Sequence, residues 1–100
     1  MEQDWEVLDF ECAGFEWHDE KEKSNRRKHG VGFEEAAQIF GSGILARHET
    51  HETEDRYVAI GLAGIKTLVV VFTQRRENIR IISARKATPS ERRRHSAHFG

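Results

Sequence analysis

NIRIISARKATPSERRR, residues Asn78 to Arg94, decides how the rest of the chain is arranged. Its first half alternates like a strand. Ile79, Ile81 and Ser83 fall on one face, and Arg80, Ile82 and Ala84 on the other. Its second half starts a helix. Thr88 can cap, Pro89 suits the first helical position, and Glu91 stands three residues past the cap, so Thr88-Pro-Ser-Glu91 reads as a capping box. An apolar strand, a cluster of fixed positive charge and a helix junction meet here, which is where a polyanion would be handled.

Working back from that stretch, Arg75 to Asn78 turns the chain into Thr67 to Gln74, which is nearly all apolar and reads as a central strand buried on both faces. Ala63 to Lys66 is a tight turn after a strand at Arg56 to Leu62, and the polar turn His51 to Glu54 follows a strand at Ile44 to Glu49. Connections this short demand antiparallel pairing. Before the strands, Phe33, Ala36, Ala37 and Phe40 have helical spacing, Glu34 and Glu35 suit that helix's positive end, and Gly41-Ser42-Gly43 ends it. Glu20 to His29 reads as an earlier helix, capped by Asp19 and closed by Gly30, with almost no apolar residue on any face. Lys21, Asn25, Lys28 and His29 share one side of it, which is either solvated or faces a polyanion. Phe15 and Trp17 alternate as a short strand.

The expected fold is α+β. Two N-terminal helices pack on one face of an antiparallel sheet of about four strands, with a short N-terminal strand and a loosely held basic C-terminal helix from Pro89 to about His98. Residues 1–14 form an acidic arm, extended or weakly strand-like, and residues 15–100 a single domain. One hundred residues allow one core, and the charged fraction of 33% against 37% apolar is that of a folded soluble domain.

The net charge of −1 is unevenly spread. Met1 to Glu20 carries eight acids and no Lys or Arg, whereas Arg75 to Gly100 carries eight Lys and Arg against two Glu. This suits a polyanion site, an acidic protein partner, or both, unless the two ends pair with each other. The apolar runs are too short to span a bilayer, and the acidic start is unlike a signal peptide, so no membrane role and a cytoplasmic location are expected. Cys12 is the one cysteine, which excludes an internal disulfide and a cysteine-based zinc site. His48 and His51 lack the four-residue helical spacing of a zinc-protease pair and read as part of a solvated hairpin turn. No metal and no cofactor are expected.

FEWHDEKEKSNRRKHGVGFEEAAQIF (Phe15–Phe40), RYVAIG (Arg56–Gly61), LVVVFTQR (Leu68–Arg75) and RIISARKATPSERRRH (Arg80–His95) resemble the BrnT family, ribonuclease toxins of bacterial type II toxin–antitoxin pairs. The resemblance implies a RelE-like fold, metal-independent RNA cleavage that arrests growth, and neutralisation by a BrnA-like ribbon-helix-helix antitoxin. It also implies a heterotetramer of two toxins on an antitoxin dimer, touching operator DNA only through the antitoxin. Two positions depart from the family's pattern. His18 stands where an Asp is frequent, and His95 lies near where a tyrosine is common in the last helix; Tyr57 is the chain's one tyrosine.

Metal-free RNA cleavage uses the 2′-OH as nucleophile. It needs proton transfer and fixed positive charge where the pentacoordinate phosphate builds up negative charge. Arginine suits the last role because its guanidinium fork matches phosphate oxygens and stays charged. Arg75, Arg80 and Arg85 are the candidate phosphate-holding residues, with Arg56 and Lys86 assisting. Thr73 and Arg75 share one side of their strand and Ser83 and Arg85 one side of theirs, while Arg80 is expected from the other side. Lys28 and His95 are further candidate RNA contacts, and His29, able to titrate near neutral pH, is the candidate acid or base. A non-catalytic module docking RNA or an acidic protein needs the same arginines and is the alternative.

Overall fold

The longest apolar run of the chain becomes the middle of a six-stranded sheet. The computed structural model describes residues 4–100. Its strands are β1 (Glu6–Leu8), β2 (Gly14–Glu16), β3 (Ile44–Thr50), β4 (Asp55–Ala63), β5 (Lys66–Arg75) and β6 (Asn78–Lys86), in the order β1-β3-β4-β5-β6-β2. β3 to β6 form the expected antiparallel meander. Leu68, Val69, Val70 and Phe72 of β5 are all buried, so this strand has a covered layer on each face.

On one face, Ala46, Ala59, Leu68, Val70, Phe72, Ile79, Ile81 and Ala84 pack against Val31, Phe33, Ala36 and Ile39. Those partners belong to the segment holding α1 (Asp19–His29), α2 (Phe33–Ala37) and the 3₁₀ turn Gln38–Gly41. Tightening of the helix at Gln38 makes Ile39, rather than Phe40, the fully buried residue. Gly61 is needed beneath it, because a Cβ there would stand 2.8 Å from the Ile39 Cβ. The opposite face is smaller. Val58, Ile60 and Val69 meet Ala87, Val71 and Trp5, and helix α3 (Pro89–Phe99) lies over it.

The α+β class is as expected, but the arrangement differs in three ways. The sheet has six strands rather than about four and one more, and the helices are interspersed between groups of strands. The sheet is also mixed: β2 runs parallel to β6, Gly14 opposite Asn78, and β1 antiparallel to β3, Glu6 opposite Ala46. Third, α3 covers the face opposite to α1 and α2. Val7 and Leu8 break alternation because β1 is an edge strand held by its backbone ladder, with Val7 exposed. β1 and β2 sit at opposite edges, so the chain between them crosses the sheet. Phe10 marks the crossing, edge-on to Tyr57 at 4.9 Å and to Phe72 at 5.0 Å. The described part of the acidic arm is therefore woven into the sheet; the arm's first three residues lie outside the described residues.

The C-terminal helix is tied down rather than loosely held. The capping box forms, with Thr88 Oγ1 accepting from the Glu91 N–H at 3.2 Å and Glu91 Oε1 from the Thr88 N–H at 2.8 Å. Arg85 donates to both Glu91 oxygens, at 2.7 and 2.9 Å. At the other end His95 Nε2 lies 3.1 Å from the Gly43 carbonyl oxygen.

Candidate functional site

The site is built on an irregularity in β6. Val71 is opposite Ser83, but its neighbour Phe72 is opposite Ile81, so Ile82 is an extra residue in the strand. The bulge reverses the alternation below it. Thr73 is two residues from Val71, on the α3 face, and Arg80 is opposite Thr73. Arg80 therefore shares a face with Ser83, Arg85 and Arg75 instead of entering from the other side. Tyr57 packs with the α2-side core, so its neighbour Arg56 also turns to the face of Arg80.

α1 then closes the open edge of β6. β2 pairs only with Asn78 to Arg80, and beyond that the Asn25 side chain takes the place of a neighbouring strand. Its Nδ2 donates to the Ala84 carbonyl at 2.7 Å and to the Val31 carbonyl at 3.0 Å, while its Oδ1 accepts from the Ala84 N–H at 3.1 Å. Glu22 is the second buried anchor. One of its carboxylate oxygens accepts from the Phe33 N–H at 3.3 Å and from Arg26, one helical turn on, at 2.6 Å. Arg26, followed by the Phe33 N–H, holds the Glu22 carboxyl below its ordinary range despite the opposing effect of burial. A helix with no apolar stripe is thus held by polar bonds, with Trp17 edge-on to Phe33 at 6.0 Å. Its start also differs from expectation. His18, not Asp19, occupies the cap position and its side chain makes no capping bond; Asp19 is the first helical residue.

Two clefts flank the Ile82 bulge. The first, about 180 Å³, is lined by His18, Lys21, Thr53, Glu54, Arg56 and Arg80, with Ile81 and Ile82 as its floor. The second, about 240 Å³, runs along the α1–β6 seam between Lys21, Ser24, Asn25, Lys28 and His29 on one side and Ile82 and Ser83 on the other. Lys21 and Ile82 belong to both, so the two form one trough. Lys21, Lys28, Arg56 and Arg80 supply fixed positive charge against a single carboxylate, Glu54, which is bound to Arg56 at 3.0 Å. The Arg80 guanidinium has no hydrogen-bond or ion-pair partner among the described residues, although the residue is half-buried. A half-buried cation without a partner in a groove of one sign is disposed to take an anion.

The trough brings together Arg56, Arg80, Lys28, His29 and Ser83 of the residues singled out in the sequence. The others lie outside it. Arg85 is locked onto Glu91, which raises its pKa, and Arg85 in turn holds the Glu91 carboxyl down at about 2. Arg75 stands at the far hairpin, 3.8 Å from Glu16. Thr73 is buried, its hydroxyl donating to the Asp55 carbonyl at 2.6 Å. Lys86 is opposite Leu68, on the other face. His95 is only 5% exposed and anchors α3, which leaves no imidazole surface for RNA. His48 Nε2, at the β3–β4 hairpin, lies 3.2 Å from Asp55. The sequence marks His18 only as a departure from the family's pattern and Lys21 only by its place beside Asn25, Lys28 and His29 on one side of α1; neither is among the candidate site residues above.

The family model described as "Ribonuclease toxin, BrnT, of type II toxin-antitoxin system" matches residues 17–91, a span that holds α1, both clefts and the β6–α3 junction. Comparison with curated proteins gave no match.

Proposed function

The chain belongs to the BrnT family of ribonuclease toxins of type II toxin–antitoxin systems, and from that premise we propose that it is a metal-independent endoribonuclease whose active site is the α1–β6 trough. Arg80 carries the reading. It is a half-buried residue whose guanidinium has no partner among the described residues, in a cleft it shares with Arg56 and Lys21. The substrate backbone lies along the seam, with Lys21 and Lys28 on the phosphates flanking the scissile one and Ser83 and His29 along the groove. Phosphate contacts of this kind position a strand without reading its sequence.

In the reaction the 2′-oxygen bonds to the adjacent phosphorus as it loses its proton, and the bond from phosphorus to the 5′-oxygen breaks as that oxygen gains one. The products carry a 2′,3′-cyclic phosphate and a 5′-hydroxyl. Negative charge grows on the non-bridging oxygens in the transition state, and Arg80 with Arg56 takes it up, the electrostatic work a metal ion does in other nucleases. Arg75, Arg85 and Lys86 extend the positive field without touching the reacting phosphate.

The cell-level reading follows. The chain acts in the cytoplasm, arrests growth when unopposed, and is neutralised by a BrnA-like ribbon-helix-helix antitoxin in a heterotetramer that meets operator DNA through the antitoxin. No helix among the described residues is long and apolar enough to cross a membrane. Controlled expression of the wild type beside Arg80→Ala, with growth followed and RNA 5′ ends mapped, tests the proposal. Arrest with new ends, both lost in the variant, is the expected result. Arrest without new ends would favour a binding module over a nuclease.

A further inference from the structure

We propose that His18 is the general base of the trough, taking the proton from the attacking 2′-OH. The inference rests on the nuclease reading above and adds the residue that moves the proton. Three observations carry it. His18 is exposed and lines the same cleft as Arg80 and Arg56, so it borders the position assigned to the scissile phosphate. It is the one histidine among the residues lining that cleft, and imidazole is the side-chain type suited to accepting a proton at physiological pH. Third, His18 occupies the cap position of α1 and makes no capping bond, in a place where Asn, Asp, Ser or Thr would stabilise the helix. The side chain is therefore not used in holding the helix start.

The groups that face or adjoin the imidazole are Lys21, Glu54, Arg56 and Arg80 around the cleft, with Asp19 and Glu20 following it on α1. In the step, the O2′–H bond breaks toward an imidazole nitrogen while O2′ bonds to phosphorus. The 5′-oxygen leaves and takes a proton from water, and the imidazolium returns its proton to solvent. His29, in the adjoining cleft beside Lys28, lies along the RNA path rather than at Arg80.

The test is single-turnover cleavage of a mixed-sequence single-stranded RNA oligonucleotide by the purified full chain, from about pH 5 to about pH 8.5, a range that brackets the ordinary imidazole value. Wild type, His18→Asn, His29→Asn and Arg80→Ala are compared. The wild-type rate should rise with pH at the acid end of that range and then level, as for a base that must be unprotonated to act. His18→Asn should be slower by about 10² to 10⁴ and should lose that limb, while a 2′-deoxy analogue of the RNA binds it within about threefold of wild type, as expected where only proton transfer is removed. His29→Asn should keep the limb. Because Asn caps well, the thermal midpoint of His18→Asn should equal or exceed that of wild type, so lost activity is not lost fold. A His18→Asn variant within tenfold of wild type, or one that keeps the acid limb, overturns the proposal. If Arg80→Ala loses cleavage in the same experiment, only the base assignment falls; if Arg80→Ala and His18→Asn both cleave normally, the trough itself is wrong. A wild type that cuts no RNA overturns both readings.

Discussion

Asn25 is the residue on which the trough's geometry depends most, and replacing it with Ala has a cost that can be worked out. Its side chain is 6% exposed and makes three hydrogen bonds to backbone groups of Ala84 and Val31. Each is worth about 1 kcal/mol net, and leaving a buried partner unsatisfied costs about 1–3 kcal/mol. Asn25→Ala should therefore destabilise the fold by about 3 kcal/mol. Against a typical domain stability of about 5–15 kcal/mol this is a large fraction. It corresponds to a drop in the thermal midpoint of roughly 12–24 °C for a domain of this size. Urea unfolding followed by circular dichroism is the assay. The midpoint concentration should fall with the slope unchanged, because the folded and unfolded surfaces stay nearly the same. Asn25→Asp should cost at least as much, since its carboxylate would meet two carbonyl oxygens where the amide donated. A loss below about 1 kcal/mol would show that Asn25 does not hold α1 to β6, and the seam would have to be held by something else.

Two further effects follow from packing and charge. Gly61→Ala places a methyl group 2.8 Å from Ile39 Cβ and 3.0 Å from Ile44 Cγ2, both in the buried core, and should cost about 1–3 kcal/mol. Thermal unfolding of the variant beside wild type checks the loss. Arg85 holds the Glu91 carboxyl at about 2, below its ordinary value of 4.5, so the pair's stabilisation is complete above that ordinary value and disappears as pH falls toward 2. The pair is partly exposed, which limits the effect to about 1 kcal/mol after solvent screening. Glu91→Gln should accordingly show a shallower acid loss of stability than wild type across that window, read from urea unfolding at several pH values.

Much of the fold is legible in the sequence, because the four long strands carry local signals. Thr67 to Gln74 is nearly all apolar, and Thr88-Pro-Ser-Glu91 announces its helix through a capping box in which Thr88 and Glu91 bond to each other. What is not legible is non-local. The three residues of β1 are a strand only because β3 offers an edge, and the parallel pairing of Gly14 with Asn78 joins segments more than sixty positions apart. The Ile82 bulge leaves no mark in NIRIISARK, yet it moves Arg80 to the face of Arg56 and so makes the cleft. His95 looks like a mobile basic side chain in sequence and is buried, because α3 crosses the sheet and brings it to the Gly43 carbonyl. His18 joins the site through the approach of α1 to β6, which Asn25 sets up by bonding to a strand distant in sequence.

The central claim is that this trough, and not the sum of basic charge, cuts RNA. The direct test is cleavage of one labelled single-stranded RNA by purified wild type, Arg80→Ala and Arg93→Ala, at fixed salt, with end-group analysis of the products. Arg93 is exposed on α3 and lines neither cleft. The account predicts 2′,3′-cyclic phosphate and 5′-hydroxyl ends. It predicts a loss of about 10² to 10³ in rate for Arg80→Ala, as for removal of one group that stabilises transition-state charge, and a change of no more than about threefold for Arg93→Ala, which removes one exposed charge from the general field. Equal and modest losses in both variants would contradict it and would mean that the basic surface binds RNA without an active site at Arg80.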